Sequence, residues 1–232
     1  MYLKVSAKII LSIVFIVIVY LAIAFVWASL SIEYLLTGET ITSEEPMLTQ
    51  KQKNILLKIE DPTFYEHAGI DISQGQGLTT ITSSLARDIF LFREKLPGVK
   101  GRLQSFYRGV FNCCKKIDVG RDMMALVLNR NLKKQLQLQF YVSTSYMGAS
   151  NGKQVIGLPA AAKTYFNKPL SELSDDEFIA LVAMLKAPNY FHPEKGAKHL
   201  ESRISRIKKI LAGTCKPDGW FDTEYERCEN GA

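Results

Sequence analysis

Glu60 and Asp61 stand side by side, and His67 follows a few positions later. Carboxylates and an imidazole in one short stretch are the side chains of general acid–base chemistry, which takes a proton from a hydroxyl or gives one to a leaving group. Downstream come Gly75, Gly77, the hydroxyl run 79–84 and then Arg87. A helix start that carries hydroxyls, with a cation a turn or two in, suits a phosphate. Together, residues 54–92 are the stretch of the chain densest in side chains that can do chemistry.

The elements that must position these groups are short. Residues 51–59 read as a helix, with Ile55, Leu56 and Ile59 on one face, and Pro62 stops it. Glu60 and Asp61 then sit at a helix C-terminus, where the dipole disfavours carboxylates. The plainer reading makes both of them solvated loop acids or local caps. For His67 it is a hydrogen bond to loop backbone, and no second His or Cys stands at zinc spacing. Thr79 or Thr80 is a natural N-cap for a helix whose buried stripe is Ile81, Leu85 and Ile89, with Thr80, Ser84 and Arg87 on a different face. The spacing of a Walker loop is absent. The plainer reading here is a capped helix with a solvated Arg.

The order of these residues carries more than the parts. E-D-x-x-F-x-x-H-x-G (Glu60, Asp61, Phe64, His67, Gly69) is followed by G-x-[ST]-T-I-T (Gly77, Thr79, Thr80, Ile81, Thr82). This resembles the peptidoglycan glycosyltransferases, or transglycosylases, found as monofunctional enzymes and as the polymerising domain of class A penicillin-binding proteins. Lys134, Leu138 and Tyr141 are similar to a further family motif, with Ser143 in place of its final Asn. Tyr146-Met147-Gly148 resembles a family turn, and 159–169 and 186–188 resemble its Ala-rich and K-A-P stretches. The likeness runs from about 50 to 211.

The remaining chain fits an anchored domain. The 232 residues are 47% hydrophobic with a formal net charge of +6, which suits a membrane surface or an anionic substrate. No nucleic-acid motif appears. Residues 9–30 form an uncharged apolar run long enough to cross a bilayer. Lys4 and Lys8 precede it and Glu33, Glu39, Glu44 and Glu45 follow, so the N-terminus is expected inside. A signal peptide cleaved near Ala28 is the alternative, and the length of the run favours a retained anchor. Cys215 and Cys228 enclose a short loop and could form a disulfide, whereas Cys113 and Cys114 read as separate buried thiols. Residues 93–116 are basic: a solvated face, or a lip toward lipid head groups or a pyrophosphate. Residues 121–140 are helical in pattern. Ser174 with Glu177 is a capping box opening a helix that runs to about Lys186. A last helix, 197–212, sets Leu200, Ile204, Ile207 and Leu211 against Arg203, Arg206, Lys208 and Lys209. Neither length nor an S-x-x-K motif for a transpeptidase follows.

The resemblance implies a mainly α, lysozyme-like domain behind one N-terminal transmembrane helix. The expected layout is a cytoplasmic N-terminus (1–8), an anchor (9–30), a connector (31–50), the glycosyltransferase-like domain (51–213) and a tail (214–232). It implies a single-pass protein of the bacterial cytoplasmic membrane, with its domain on the outer face, that polymerises lipid II or another undecaprenyl-linked glycan and releases undecaprenyl pyrophosphate. By motif position Glu60 is the general base. Asp61, Phe64, His67, Thr80, Thr82, Ser84, Arg87 and Lys134 fall at substrate-binding positions. The resemblance also implies a divalent cation, Mg²⁺ or Mn²⁺, bridging the pyrophosphate, although the sequence offers no dedicated cage. Membrane lipids and bacterial cell-wall synthesis proteins are the expected partners. Three departures stand out. Only 70–76 separate motifs that lie about twenty residues apart in the family. Ser83-Ser84 replaces a Gln pair, and Arg87-Asp88 a Lys-Asn. No R-K-x-x-E motif supplies a second Glu: one alignment puts Arg121 there, another Leu103 or Gln104, with Asp118 and Asp122 close by. Two alternatives follow, an inactive relative that binds glycan or cell-wall enzymes, and a lysozyme-like hydrolase with one acidic Glu.

Overall fold

A computed structural model describes residues 2–37, 48–71, 80–113, 119–217, 222 and 224–228. Gly75, Gly77, Thr79, Cys114, Lys115, Lys116, Asp118 and half of the expected connector (38–47) lie outside the described residues. The fold is mainly α. In chain order the helices are α1 (Tyr2–Leu36), α2 (Gln50–Glu60), α3 (Ile81–Arg87), α4 (Gly98–Cys113), α5 (Val119–Asn131), α6 (Lys134–Thr144), α7 (Leu158–Phe166), α8 (Asp175–Leu185) and α9 (Ala197–Leu211). A hairpin of β1 (Tyr146–Ser150) and β2 (Lys153–Ile156) lies between α6 and α7. The chain divides into two compact units, 1–40 with 68–70 and 82–132, and 41–67 with 71–81 and 133–232.

In the first unit α1 carries the apolar run and continues past it. Its segment Lys8–Leu36 is long and apolar enough to cross a membrane. Ile9 to Val19 are exposed, but Ala24, Trp27, Ala28, Ile32 and Leu35 are buried, and α1 packs on α5, α4 and the turn after α3. The Trp27 indole N–H donates to the Lys100 carbonyl at 3.0 Å, and its ring lies 5.1 Å from Tyr107. Ile32 and Leu35 thus have cover, which explains why the helix runs six residues beyond 30. Leu85 and Ile89 are buried as their spacing predicts, and so is Ile81, which belongs to the second unit. The helix does not stay regular, however. Residues Asp88–Arg93 widen into a π-helix that turns Ile89, Phe90 and Leu91 inward together. Gln104 stitches this turn to α4, donating to the carbonyls of Phe90 (2.8 Å) and Glu94 (2.6 Å) and accepting from the Leu96 N–H (3.0 Å).

The second unit is built on α8. Every residue from Phe178 to Met184 is buried, as an all-apolar helix requires. Both α2 and α9 pack against it. Ser174 and Glu177 form the expected capping box. An unforeseen one, Thr49 with Gln52, opens α2. Residues 121–140 resolve into nearly all of α5 and most of α6. The Tyr146-Met147-Gly148 turn is instead strand β1, and the chain reverses at Asn151 and Gly152, whose φ of 51° and 76° suit a tight hairpin. Cys215 and Cys228 form a disulfide. Cys113, expected buried, is exposed because it ends α4 on its outer side. The basic face of α9 is also not what its spacing predicts, since Arg203 and Arg206 are buried.

Candidate active site

Glu60 is the last residue of α2. Its neighbour Ile59 is buried against the unit, so the helix end is fixed and Glu60 is only partly exposed. The Tyr141 hydroxyl, from α6, donates to Glu60 Oε2 at 3.2 Å. Burial raises the Glu60 pKa above the carboxylate's ordinary 4.5, and the Asp61 charge adds to that. The guanidinium of Arg203, the Tyr141 hydrogen bond and the ammonium of Lys186 pull the other way without winning. A carboxyl with a raised pKa is a stronger base once ionised, which is what proton abstraction from a sugar hydroxyl needs.

Asp61 has a different task. Its backbone N–H closes α2 on the Leu57 carbonyl. Its buried carboxylate reaches across to the start of α3, where Oδ2 accepts from the Ile81 N–H at 2.9 Å. The unfavourable helix C-terminus is therefore offset by a favourable N-terminus. No hydroxyl of Thr80 is needed for that cap, although Thr80 itself is buried. His67 Nε2 lies 3.0 and 3.1 Å from the two Asp61 oxygens. An ionised carboxylate only accepts, so this nitrogen carries the proton. Asp61 is thus a partner of the His67 ring that local sequence did not indicate, brought to it by the turn at 62–66. Phe64 is a core side chain, and Lys134 Nζ sits 4.4 Å from its ring centre. Burial lowers the Lys134 pKa to about 8, with the Asp61 charge opposing.

Asp61→Ala removes an acceptor shared by a buried N–H and an imidazole. The expected cost is about 3 kcal/mol, or roughly 6–12 °C of Tm for a domain of this size. Asp61→Asn keeps one acceptor oxygen and costs less. A thermal shift in detergent measures it, and an unchanged Tm for the Ala variant would contradict this structural role.

Glu60, Asp61, Phe64, His67, Thr80 and Lys134 belong to the second unit, and Thr82, Ser84 and Arg87 to the first. Within the first unit, Arg87 donates to Asp88 at 2.8 Å and to Ser84 Oγ at 3.3 Å, and its guanidinium lies 5.6 Å from the Phe111 ring. It is therefore a braced cation, not a solvated one. Thr82 is fully buried, and its methyl lines the space where a Cβ on Gly69 would fall. Gly69 has φ +119°, and that Cβ would also lie 2.8 Å from the Ala125 carbonyl oxygen, which only glycine tolerates. At the positions considered for a second Glu, Arg121 is buried and paired with Asp122 at 3.0 Å, and Gln104 makes the backbone stitch described above. Among the described residues no three His, Cys, Asp or Glu side chains converge as a cation cage. Among the described residues the protein donors do not form a cage for a resident Mg²⁺ or Mn²⁺.

Sequence reasoning passed over Tyr141, Lys186 and Arg203 as site residues. Tyr141 had a signal, since it lies in the same motif as Lys134. Arg203 had none, because nothing local marks which side of α9 is covered.

Residues 39–212 match the family model described as transglycosylase. The chain is 29% identical over 170 residues to penicillin-binding protein 1B of Vibrio cholerae, covering 67% of this chain and 20% of that protein. Penicillin-binding protein 1B of Escherichia coli K12 is 28% identical over 170 residues, covering 67% and 18%. Penicillin-binding protein 1A of Haemophilus influenzae is 30% identical over 168 residues, covering 66% and 17%. The chain thus spans about a fifth of the length of these relatives. With the family model matched over most of the chain, from the connector through α9, the protein belongs to the transglycosylase family, glycosyltransferases of peptidoglycan biosynthesis.

Proposed function

We propose that this chain is a membrane-anchored glycosyltransferase that polymerises lipid II, with Glu60 as general base. The observation that carries the reading is the Glu60 carboxyl: half-buried, raised in pKa by desolvation and held by the Tyr141 hydroxyl at the end of α2. The acceptor sugar's 4-hydroxyl attacks C1 of the growing chain. Its proton passes to Glu60 as the new glycosidic bond forms, and the bond from C1 to the phosphate oxygen breaks. The electron pair leaves with undecaprenyl pyrophosphate, whose charge Lys134 offsets. The proton on Glu60 is then lost to water. Asp61 and His67 keep the Glu60 loop and the start of α3 in register. A Mg²⁺ or Mn²⁺ ion on the pyrophosphate would take its oxygens from substrate and water. The α1 helix would be a single-pass anchor with its N-terminus inside, and cell-wall synthesis proteins would be the partners.

Labelled lipid II supplied to the detergent-purified chain tests this, with products resolved by size and an established transglycosylase run beside it. Glycan chains are the expected product. No chains, while the reference enzyme makes them, would overturn the assignment. Release of short fragments from preformed glycan would replace it with hydrolysis.

A further inference from the structure

The family match stops at 212, and α9 stops with it at Gly213. Described residues beyond that point fold back on the site's own unit. The N–H groups of Thr214 and Cys215 donate to the Lys209 carbonyl (3.0 and 3.3 Å), and Lys209 Nζ donates to the Cys228 carbonyl at 2.6 Å. The Cys215–Cys228 disulfide closes the segment. Just inside that closure lie Glu224 and Tyr225.

Tyr225 is 5% exposed and is held at φ +58°, which a non-glycine residue adopts at a cost. Its hydroxyl donates to the Ile59 carbonyl at 3.0 Å. That carbonyl is in the last turn of α2, where the helix offers no partner of its own, and it directly precedes Glu60. The second contact is to Arg203, which is 1% exposed. Its guanidinium lies 5.2 Å from the Phe191 ring and 5.3 Å from the Tyr225 ring. Its Nε donates to the Ala183 carbonyl at 3.1 Å, and its Nη1 pairs with the Glu224 carboxylate at 3.5 Å. Arg203 is also the largest favourable charge acting on Glu60. Two adjacent residues of the segment therefore hold the backbone in front of Glu60 and the cation that opposes it.

We propose that residues 224–228, tied to the end of α9 by the Cys215–Cys228 disulfide, act as a strap on the second unit, in which Tyr225 and Glu224 are positioning residues for Glu60, acting through the end of α2 and through Arg203. The inference rests on the reading of Glu60 as general base. The charged and titratable groups that face Glu60 are Arg203 from α9, Tyr141 from α6, Lys186 after α8, Asp61 beside it and Tyr225 from the strap. The strap supplies one of these and seats another. Glu224 offsets the charge of Arg203, so its removal leaves Arg203 acting more fully on Glu60 and lowers the pH at which Glu60 ionises. Reduction of the disulfide frees Cys228 and with it the adjoining turn that carries Tyr225.

The test uses the full chain in detergent, as wild type, Tyr225→Phe, Glu224→Gln, Cys215→Ser with Cys228→Ser, and Glu60→Gln. Two readouts are taken: lipid II polymerisation against pH, and titration of the Glu60 carboxyl by ¹³C NMR, its signal identified by its loss in Glu60→Gln. Tyr225→Phe keeps the ring on Arg203 and loses only the hydrogen bond. It is expected to lower kcat about 10-fold with KM nearly unchanged. Glu224→Gln is expected to move both the Glu60 titration and the acid limb of kcat/KM to lower pH. The cysteine pair should reproduce the kcat loss of Tyr225→Phe, as should reduction of wild type. If these variants lower Tm alone, with the Glu60 titration and kcat as in wild type, the strap is structural only and the proposal is wrong. If wild type makes no chains, the general-base reading fails, and the NMR titration still decides whether the strap acts on Glu60.

Discussion

Glu60→Gln leaves a folded protein that makes no measurable glycan, with kcat/KM down at least about 10³-fold. The substitution is nearly isosteric, and the amide oxygen can still accept from Tyr141, so the loss reports the missing base and not a collapsed site. The same residue shapes the acid side of the wild-type profile. Attack requires the ionised carboxylate, and burial holds the Glu60 pKa above its ordinary 4.5. Activity therefore falls as pH drops through a midpoint above the usual carboxylate range, and the fall comes from kcat/KM of the free enzyme. Stability runs in the opposite sense. A carboxyl whose folded pKa is raised contributes its full stability below the unfolded pKa, and that stability is lost as pH rises through the folded value. Glu60→Gln is thus expected to raise Tm at neutral pH and to match wild type at pH near 4, where both side chains are neutral. Thermal shifts at the two pH values, beside the polymerisation assay, separate a buried catalytic charge from a merely structural acid. An unchanged Tm difference across pH, with activity retained, would remove Glu60 from the mechanism.

The sequence made the local parts of this architecture legible. The apolar spacing of 51–59 and the stop at Pro62 place α2 within a residue, because those signals are short-range. The Ser174–Glu177 box marks the start of α8 for the same reason. The pairing of Cys215 with Cys228 was open from spacing alone, and the structure closes it. What spacing could not carry is contact across the chain. Arg203 lies on the polar side of α9 by its period, yet Phe191 and Tyr225 enclose its guanidinium from other segments. The period of a helix tells which side is apolar and not which side another element covers. His67 reads as a loop histidine until the fold brings the Asp61 carboxylate to its ring. The π-helix at Asp88–Arg93 is likewise invisible in a stripe that repeats every four residues, since Phe90 and Leu91 find burial only through tertiary packing. The region after 213 carried no motif, and its two contacts with the Glu60 environment arise from Glu224 and Tyr225 in an otherwise unremarked tail.

Lys134 sets the other limb. Burial lowers its pKa to about 8, and a lysine with a lowered pKa is charged below that value and neutral above it. Wild-type kcat/KM is therefore expected to decline as pH passes about 8, because a neutral amine no longer offsets the charge that develops on the departing pyrophosphate. Lys134→Ala removes the cation at every pH and should cost about 10²-fold or more, with the acid limb set by Glu60 left in place. Lys134→Arg is the decisive variant. A guanidinium stays charged throughout and can lie over the Phe64 ring as the ammonium does, so the alkaline decline near 8 should vanish even if the maximum rate is lower. Were the decline to persist unchanged in Lys134→Arg, the group titrating there would be another one, and Lys134 would be a cation held for packing on Phe64. Were Lys134→Ala to keep full activity at pH 7, Lys134 would not be the cation that offsets the leaving group's charge. The two limbs together assign the proton acceptor and the leaving-group cation independently, since each variant moves one side of the profile and leaves the other where wild type has it.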